Sequence, residues 1–278
     1  MSRQSSDNSK IHNEHRDEML HKIQTAGSIA LSPELFEQLY LAPQNQVKGQ
    51  LRQTLGNPTP LALGGFLLCT TPISMALLEW QGAGGFGAGA NVGSYFYLGG
   101  LMLVLGGLGE WLLGNTFPAT VFCLFGGFWL TFGATIVPGY GAYGLYSTTG
   151  SAADGLSEQQ FYATFSFFLV SMTILCAIFM VASIRTNVVL FTIFLLLIPT
   201  FGCLSASFFA VSHDLASSAK TFQHVGAGLL LAVSFLGWYI FLALVLLSVD
   251  FPYILPLGDL STVIPGRTDR TRESCDKA

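Results

Sequence analysis

Glu110-Trp111-Leu112-Leu113-Gly114-Asn115-Thr116-Phe117 is a polar, glycine-marked turn set between two long apolar runs. A carboxylate, an amide and a hydroxyl at the junction of two uncharged stretches read as the link between two membrane-spanning helices. About 20 mostly apolar residues suffice to cross a bilayer. Six stretches have that length and character: 61–80, 94–113, 118–137, 161–183, 188–211 and 225–249. The runs are continuous and lack the period-two alternation of a β-barrel. Paired glycines at Gly64-Gly65, Gly99-Gly100, Gly106-Gly107 and Gly126-Gly127 predict helices that approach closely. The fold class expected is all-α: a polytopic membrane protein with six transmembrane helices and both termini cytoplasmic.

Composition agrees. Of 278 residues, 51% are hydrophobic and 10% charged, with a mean hydropathy of +0.55. Soluble domains carry about 25% charged residues, so this surface is not built to face water. The net charge of −4, without a basic stripe, gives no footprint for nucleic acid. Cys69, Cys123, Cys176, Cys203 and Cys275 have no metal-ligand or disulfide spacing and read as small packing residues. No nucleophile-elbow, zinc-protease or phosphate-loop pattern occurs. The expectation is a protein that is not an enzyme, with no metal and no cofactor.

Lysine and arginine set the orientation. Lys48 and Arg52 precede the first span, Arg185 follows the fourth, and Arg267, Arg270, Arg272 and Lys277 follow the sixth. The opposite loops hold no charge near 81–92, Asp154 and Glu158 near 138–160, and Lys220 near 212–224. The bias places both termini inside. Residues 1–56 read as a cytoplasmic tail, mostly disordered, with a possible short amphipathic helix at 32–40. Residues 57–250 form the transmembrane domain and 251–278 a C-terminal cytoplasmic tail. No apolar signal-peptide core follows Met1, so the first span is expected to act as its own insertion signal.

Spans one, three and five then begin on the cytoplasmic face, each preceded by an asparagine: Asn57, Asn115 and Asn187. Asparagine is a good N-cap, and helix N-termini attract anions. Asn187, beside Arg185, reads as an ordinary cap. Asn57 opens Asn57-Pro58-Thr59-Pro60-Leu61-Ala62-Leu63, in which two prolines fix an extended approach before the helix. Glu110 is an ionisable group at the end of a span, hence a functional candidate, or else an interfacial glutamate with a local partner. His213, Asp214 and His224 are placed in the loop before span six, solvated or sensing pH.

Taken with Phe125-Gly126-Gly127-Phe128-Trp129-Leu130-Thr131-Phe132-Gly133, these motifs make the chain resemble the acetate uptake transporter family (GPR1/FUN34/YaaH) over roughly residues 50–255, with a fungal-type N-terminal tail. The resemblance implies six spans per subunit, a homohexamer, and a separate path in each subunit for acetate or another small carboxylate moved with protons. It implies a constriction at Phe66, Phe125 and Leu197. Asn57, Asn115 and Thr116 are expected to engage the substrate carboxylate, and Glu110 to couple to protons or lock its turn. The chain departs from the family pattern in several places. Thr59 stands for an alanine, Ala62 for a glycine, Leu103 for a pore glutamine, Pro118 for a glycine and Leu124 for a serine. The expected function is a transporter or channel for acetate and related short-chain carboxylates in the plasma membrane or another cell membrane, in contact with its lipids. Two alternatives stand beside it: a non-transporting membrane sensor or assembly protein, and a conductor of another small solute such as ammonia.

Overall fold

The computed structural model describes residues 55–260. The expected disorder and amphipathic helix of the N-terminal tail, and the basic residues beyond 260, lie outside the described residues. Among those described, six helices are long and apolar enough to cross a membrane. They are α1 (Thr59–Leu77), α2 (Phe86–Leu112), α3 (Thr116–Ile136), α4 (Gln159–Ser183), α5 (Val188–Ser212) and α6 (Ala216–Ser248). α5 packs against both α4 and α6, while α1 packs on α2 and α6, and α2 on α3.

An even number of crossings puts residues 57 and 251 on one face, with the turns 113–115 and 184–187; we call this the tail face. The links 78–85, 137–158 and 213–215 lie on the other, the loop face. Trp111 and Tyr253 at the tail face and Trp80 at the loop face are exposed, as suits an interfacial aromatic belt.

Two spans start earlier than their hydropathy suggested. α2 begins at Phe86 rather than 94, because 3-10 turns over Phe86–Asn91, kinked at Gly87 and Ala88, and the helical Val92–Ser94 lead into it. Glycine and asparagine there mask the helix by depressing both hydropathy and propensity. Next comes a π-helical stretch, Tyr95–Met102, a rarity that often sits near function. α6 begins at Ala216 rather than 225, so His224 belongs to a helix and not to a loop. At 33 residues α6 is about 50 Å long by helical rise, and its polar first turns extend past the apolar layer.

Glycine lets α1 approach the α2 backbone closely at Gly65, where an added Cβ would stand 2.5 Å from the Leu98 carbonyl oxygen. No side chain fits there without moving backbone. The π-helical register of α2 is braced from α1, where the Cys69 thiol donates to the Ser94 carbonyl at 2.9 Å. Four free thiols, at Cys69, Cys123, Cys176 and Cys203, lie in the described residues.

After α6 the chain runs back across the tail face. Val188 N–H donates to the Gly258 carbonyl at 2.8 Å and Leu260 N–H to the Thr186 carbonyl at 3.0 Å. Leu257 is buried beneath this strap, which ties the start of α5 in place.

Candidate functional site: two cavities joined at an aromatic neck

The turn between α2 and α3 is built by its own sequence. Gly114 takes φ +78°, a left-handed conformation that glycine adopts without steric cost. Asn115 N–H then reaches the Glu110 carbonyl at 2.8 Å and Gly114 N–H the Trp111 carbonyl at 3.0 Å. This is the Schellman pattern of a helix C-terminus. It brings residues five apart together, and their side chains bond as well. Asn115 Nδ2 donates to Glu110 Oε2 at 2.6 Å. The other carboxylate oxygen accepts a short hydrogen bond from the Thr59 hydroxyl at the start of α1. Glu110, Asn115 and Thr59 are all buried. A carboxylate inside an apolar bundle is costly unless hydrogen-bonded, and here each oxygen has a donor from a different helix start. Pro118 sits in the first turn of α3, where an N–H lacks an intrahelical partner anyway, so the proline is tolerated.

Two cavities penetrate the bundle from opposite faces. The loop-side cavity, of about 360 Å3, is entered past Glu79, Gly84 and Gln223 and reaches Phe66, Phe125 and Leu197. The tail-side cavity, of about 70 Å3, is lined by Thr59, Pro118 and Asn187 near that face, and also ends on Phe66, Phe125 and Leu197. The three residues expected to form the constriction are therefore brought together, at the boundary the two cavities share. Phe66 and Phe125 meet edge to face with centroids 6.1 Å apart, a favoured aromatic geometry. Phe125 is backed by Phe179 and Phe201, at 6.3 and 6.5 Å. All three neck residues are buried.

The expected carboxylate-binding set falls elsewhere. Asn57, Asn115 and Thr116 line neither cavity. Asn57 is exposed, and its Oδ1 accepts the Thr59 N–H at 2.9 Å. Asn115 makes no side-chain cap, its amide donating to Glu110 instead. Thr116 is exposed at the first turn of α3. Asn187 does both jobs: it caps α5 by accepting Leu190 N–H at 2.8 Å, and it lines the tail-side cavity. Thr59 lines that cavity too, linking it to Glu110, which does not line either.

Thr70 and Thr200, on the floor of the loop-side cavity, were missed. They stand one helical turn from Phe66 and Leu197, and the four- and three-residue spacing would have found them once the neck was named. Each lies near a proline inside its helix, Pro72 in α1 and Pro199 in α5.

At the loop-side mouth Glu79 takes φ +59° and pairs with Lys220 Nζ at 2.7 Å, with His224 Nε2 at 3.8 Å from the same oxygen. The Lys220 hydrogen bond and charge hold the Glu79 carboxyl below its ordinary value of 4.5. Any stability from this exposed pair is complete above that ordinary value and is lost as pH falls through the lowered one. Lys220→Gln is expected to move the Glu79 midpoint back toward 4.5, read by carboxyl 13C NMR titration. His213 and Asp214 lie apart from the cavity. His213 Nδ1 bonds the Phe209 carbonyl at 2.7 Å, and Asp214 accepts from Gln159 Nε2 at 2.5 Å.

Comparison with known proteins identifies the fold and the family. The sequence profile of the GPR1/FUN34/yaaH family matches residues 40–261. The chain belongs to the GPR1/FUN34/yaaH family. It is 42% identical to Protein alcS of Aspergillus fumigatus over 235 residues, 84% of this chain and 86% of that one. It is 30% identical to the acetate transporter protein patA of Aspergillus clavatus over 207 residues, 74% of this chain and 79% of that one. The structure of the bacterial acetate channel SatP superposes with a TM-score of 0.55 at 21% identity, covering 73% of this chain and 99% of that one. This is a family of membrane transporters and channels, not of enzymes, and the chain is a multi-pass membrane protein.

Proposed function

We propose that this protein carries acetate and related short-chain carboxylates across the plasma membrane together with protons. The observation that supports this most is the pair of cavities meeting from opposite faces at Phe66, Phe125 and Leu197. A neck of three apolar side chains between two cavities suits a small solute that must shed water to pass. A bare carboxylate at such a place is expensive, and an apolar site favours its neutral form, so a proton travelling with the solute lowers the cost. Family membership and the likeness to an acetate transporter protein point to the solute class.

In this reading the tail face is cytoplasmic, as the lysine and arginine bias favours, and the loop-side cavity opens outward. Phe66, Phe125 and Leu197 form the constriction. Thr59 and Asn187 supply the polar contacts of the inner cavity. Asn57 and Asn115 act indirectly, Asn57 by bonding Thr59 N–H and Asn115 by holding Glu110, while Thr116 starts α3. Glu110 either exchanges a proton with the inner cavity through the Thr59 hydroxyl or locks the turn. The assembly is a homohexamer with one path per subunit, its exposed apolar residues such as Leu105, Leu108, Phe167 and Ile174 meeting lipid and neighbouring subunits.

The test is labelled acetate uptake into proteoliposomes of the full chain against protein-free vesicles, with and without an inward proton gradient and with the membrane potential clamped. Uptake accelerated by the gradient is expected. Uptake indifferent to the gradient overturns the coupling. Flux of methylamine without flux of acetate moves the assignment to ammonia, and no flux of either moves it to a sensor.

A further inference from the structure

The loop-side cavity is polar in an unusual, one-sided way. Its side-chain hydroxyls belong to Thr70, Tyr162, Thr200 and Ser207. Each is hydrogen-bonded to a backbone carbonyl: Thr70 to Phe66 at 2.9 Å, Tyr162 to Leu156 at 2.7 Å, Thr200 to Leu196 at 2.8 Å and Ser207 to Ala219 at 2.7 Å. A carbonyl only accepts, so every one of these hydroxyls has committed its single proton. Such back-bonding is common for serine and threonine in helices, but these four lie on a cavity wall. What each oxygen has left to offer is lone pairs. Among the described residues no lysine, arginine or histidine lines the cavity. Glu79, the acid among the described lining residues, sits at the mouth facing Lys220 and His224. Trp129 also lines the cavity, but its indole nitrogen is buried from the cavity surface and makes no hydrogen bond. Gln223 at the rim already gives one N–H to the Leu77 carbonyl at 2.9 Å.

We propose that the floor of this cavity is a binding site for a small neutral hydrogen-bond donor, the undissociated carboxylic acid, held by the Thr70 and Thr200 oxygens just outside the neck. The assignment rests on the carboxylate-transport reading and specifies the form of the solute. Thr70 and Thr200 are buried, at 1% and 0% exposure, on two different helices, each one turn outward of a neck residue. A carboxylate brought there would face oxygen lone pairs with no donor from these side chains, and its charge would go unanswered. The acid's single O–H donates to one of these two oxygens, and either can accept it. The proton therefore crosses as part of the solute, and the floor selects the acid from a population that is almost wholly ionised near neutral pH.

The experiment uses two isosteres of acetate with fixed character: acetamide, neutral and donor-bearing, and trifluoroacetate, which stays anionic. With labelled acetate held far below its half-saturating concentration, acetamide is expected to compete with its uptake in proteoliposomes with a potency independent of external pH, and trifluoroacetate to compete at least tenfold less well. The double variant Thr70→Val with Thr200→Val keeps the shape and removes the acceptors. It is expected to lose acetamide competition at least tenfold, and the Thr70→Ser with Thr200→Ser pair to recover most of it. Acetamide should also raise the Tm of purified wild type and serine-pair protein but not of the valine pair. Equal competition by trifluoroacetate, or undiminished acetamide competition in the folded valine pair, overturns the site. If no acetate uptake exceeds protein-free vesicles, the transport reading falls, and the acetamide Tm shift alone decides the site. A shift present in wild type and absent in the valine pair upholds it, and no shift in wild type overturns it.

Discussion

Glu110→Ala is expected to lower the Tm by on the order of 10 °C and to remove transport, whereas Glu110→Gln is expected to fold and, with the proton carried on the solute, to keep the proton-gradient response. Glu110 is 1% exposed and accepts from Thr59 Oγ1 and Asn115 Nδ2. Alanine removes both acceptors at once and leaves two buried donors. Each costs about 1–3 kcal/mol. At roughly 2–4 °C per kcal/mol for a domain of this size, a fall on the order of 10 °C follows. Glutamine keeps one acceptor of the same shape but presents an NH2 to the second donor, so its cost is a fraction of alanine's. What glutamine cannot do is bind and release a proton. Thermal unfolding of the purified proteins and gradient-driven acetate uptake separate the two roles. A wild-type Tm in Glu110→Ala removes the locking role, and a gradient response lost in the folded Glu110→Gln protein would place the proton on Glu110 and not on the solute.

The turn that holds Glu110 shows how far the sequence could be read. Carboxylate, glycine and asparagine at positions 110, 114 and 115 mark a helix C-terminus followed by a helix start, and the bundle has that turn there. An interfacial glutamate with a local partner is one of the two readings of Glu110, and the partner is the residue that precedes α3, whose amide goes to Glu110 and not to the helix end. Helix position gives the height of a side chain in the membrane but not its rotation about the helix. For this reason Asn115 and Thr116 stand at the expected level and still miss the lumen. Asn187, read as an ordinary cap, is one, yet it also faces the tail-side cavity. The spans themselves were legible because hydropathy alone decides them. Their ends were less so wherever glycine or polar residues continued a helix past the apolar layer, as at Phe86 and Ala216. Periodicity could not have singled out Phe66 and Phe125 among 23 phenylalanines; the family resemblance did, and the cavities bring them together.

The neck offers the second large effect. Leu197→Ala is expected to admit longer monocarboxylates, raising butyrate uptake relative to acetate about tenfold. Leu197 is 2% exposed and borders both cavities. A residue with space on two sides has fewer packing partners to lose, so its truncation falls near the low end of the roughly 2–5 kcal/mol range for buried leucine to alanine. The protein should therefore fold. The side chain removed is what the solute must pass, and one methylene in an apolar pocket discriminates by about 10–200-fold. Phe125→Ala is the informative contrast. It takes away the edge contact to Phe66 along with the rings of Phe179 and Phe201 that back it, and phenylalanine to alanine costs about 3–5 kcal/mol. Stability should fall more, and selectivity should relax without the clean dependence on chain length. Competition of unlabelled acids of increasing length against labelled acetate, with Tm measured alongside, distinguishes the two. A Leu197→Ala protein that is stable and keeps the wild-type acetate-to-butyrate ratio would show that the solute does not pass between Phe66, Phe125 and Leu197.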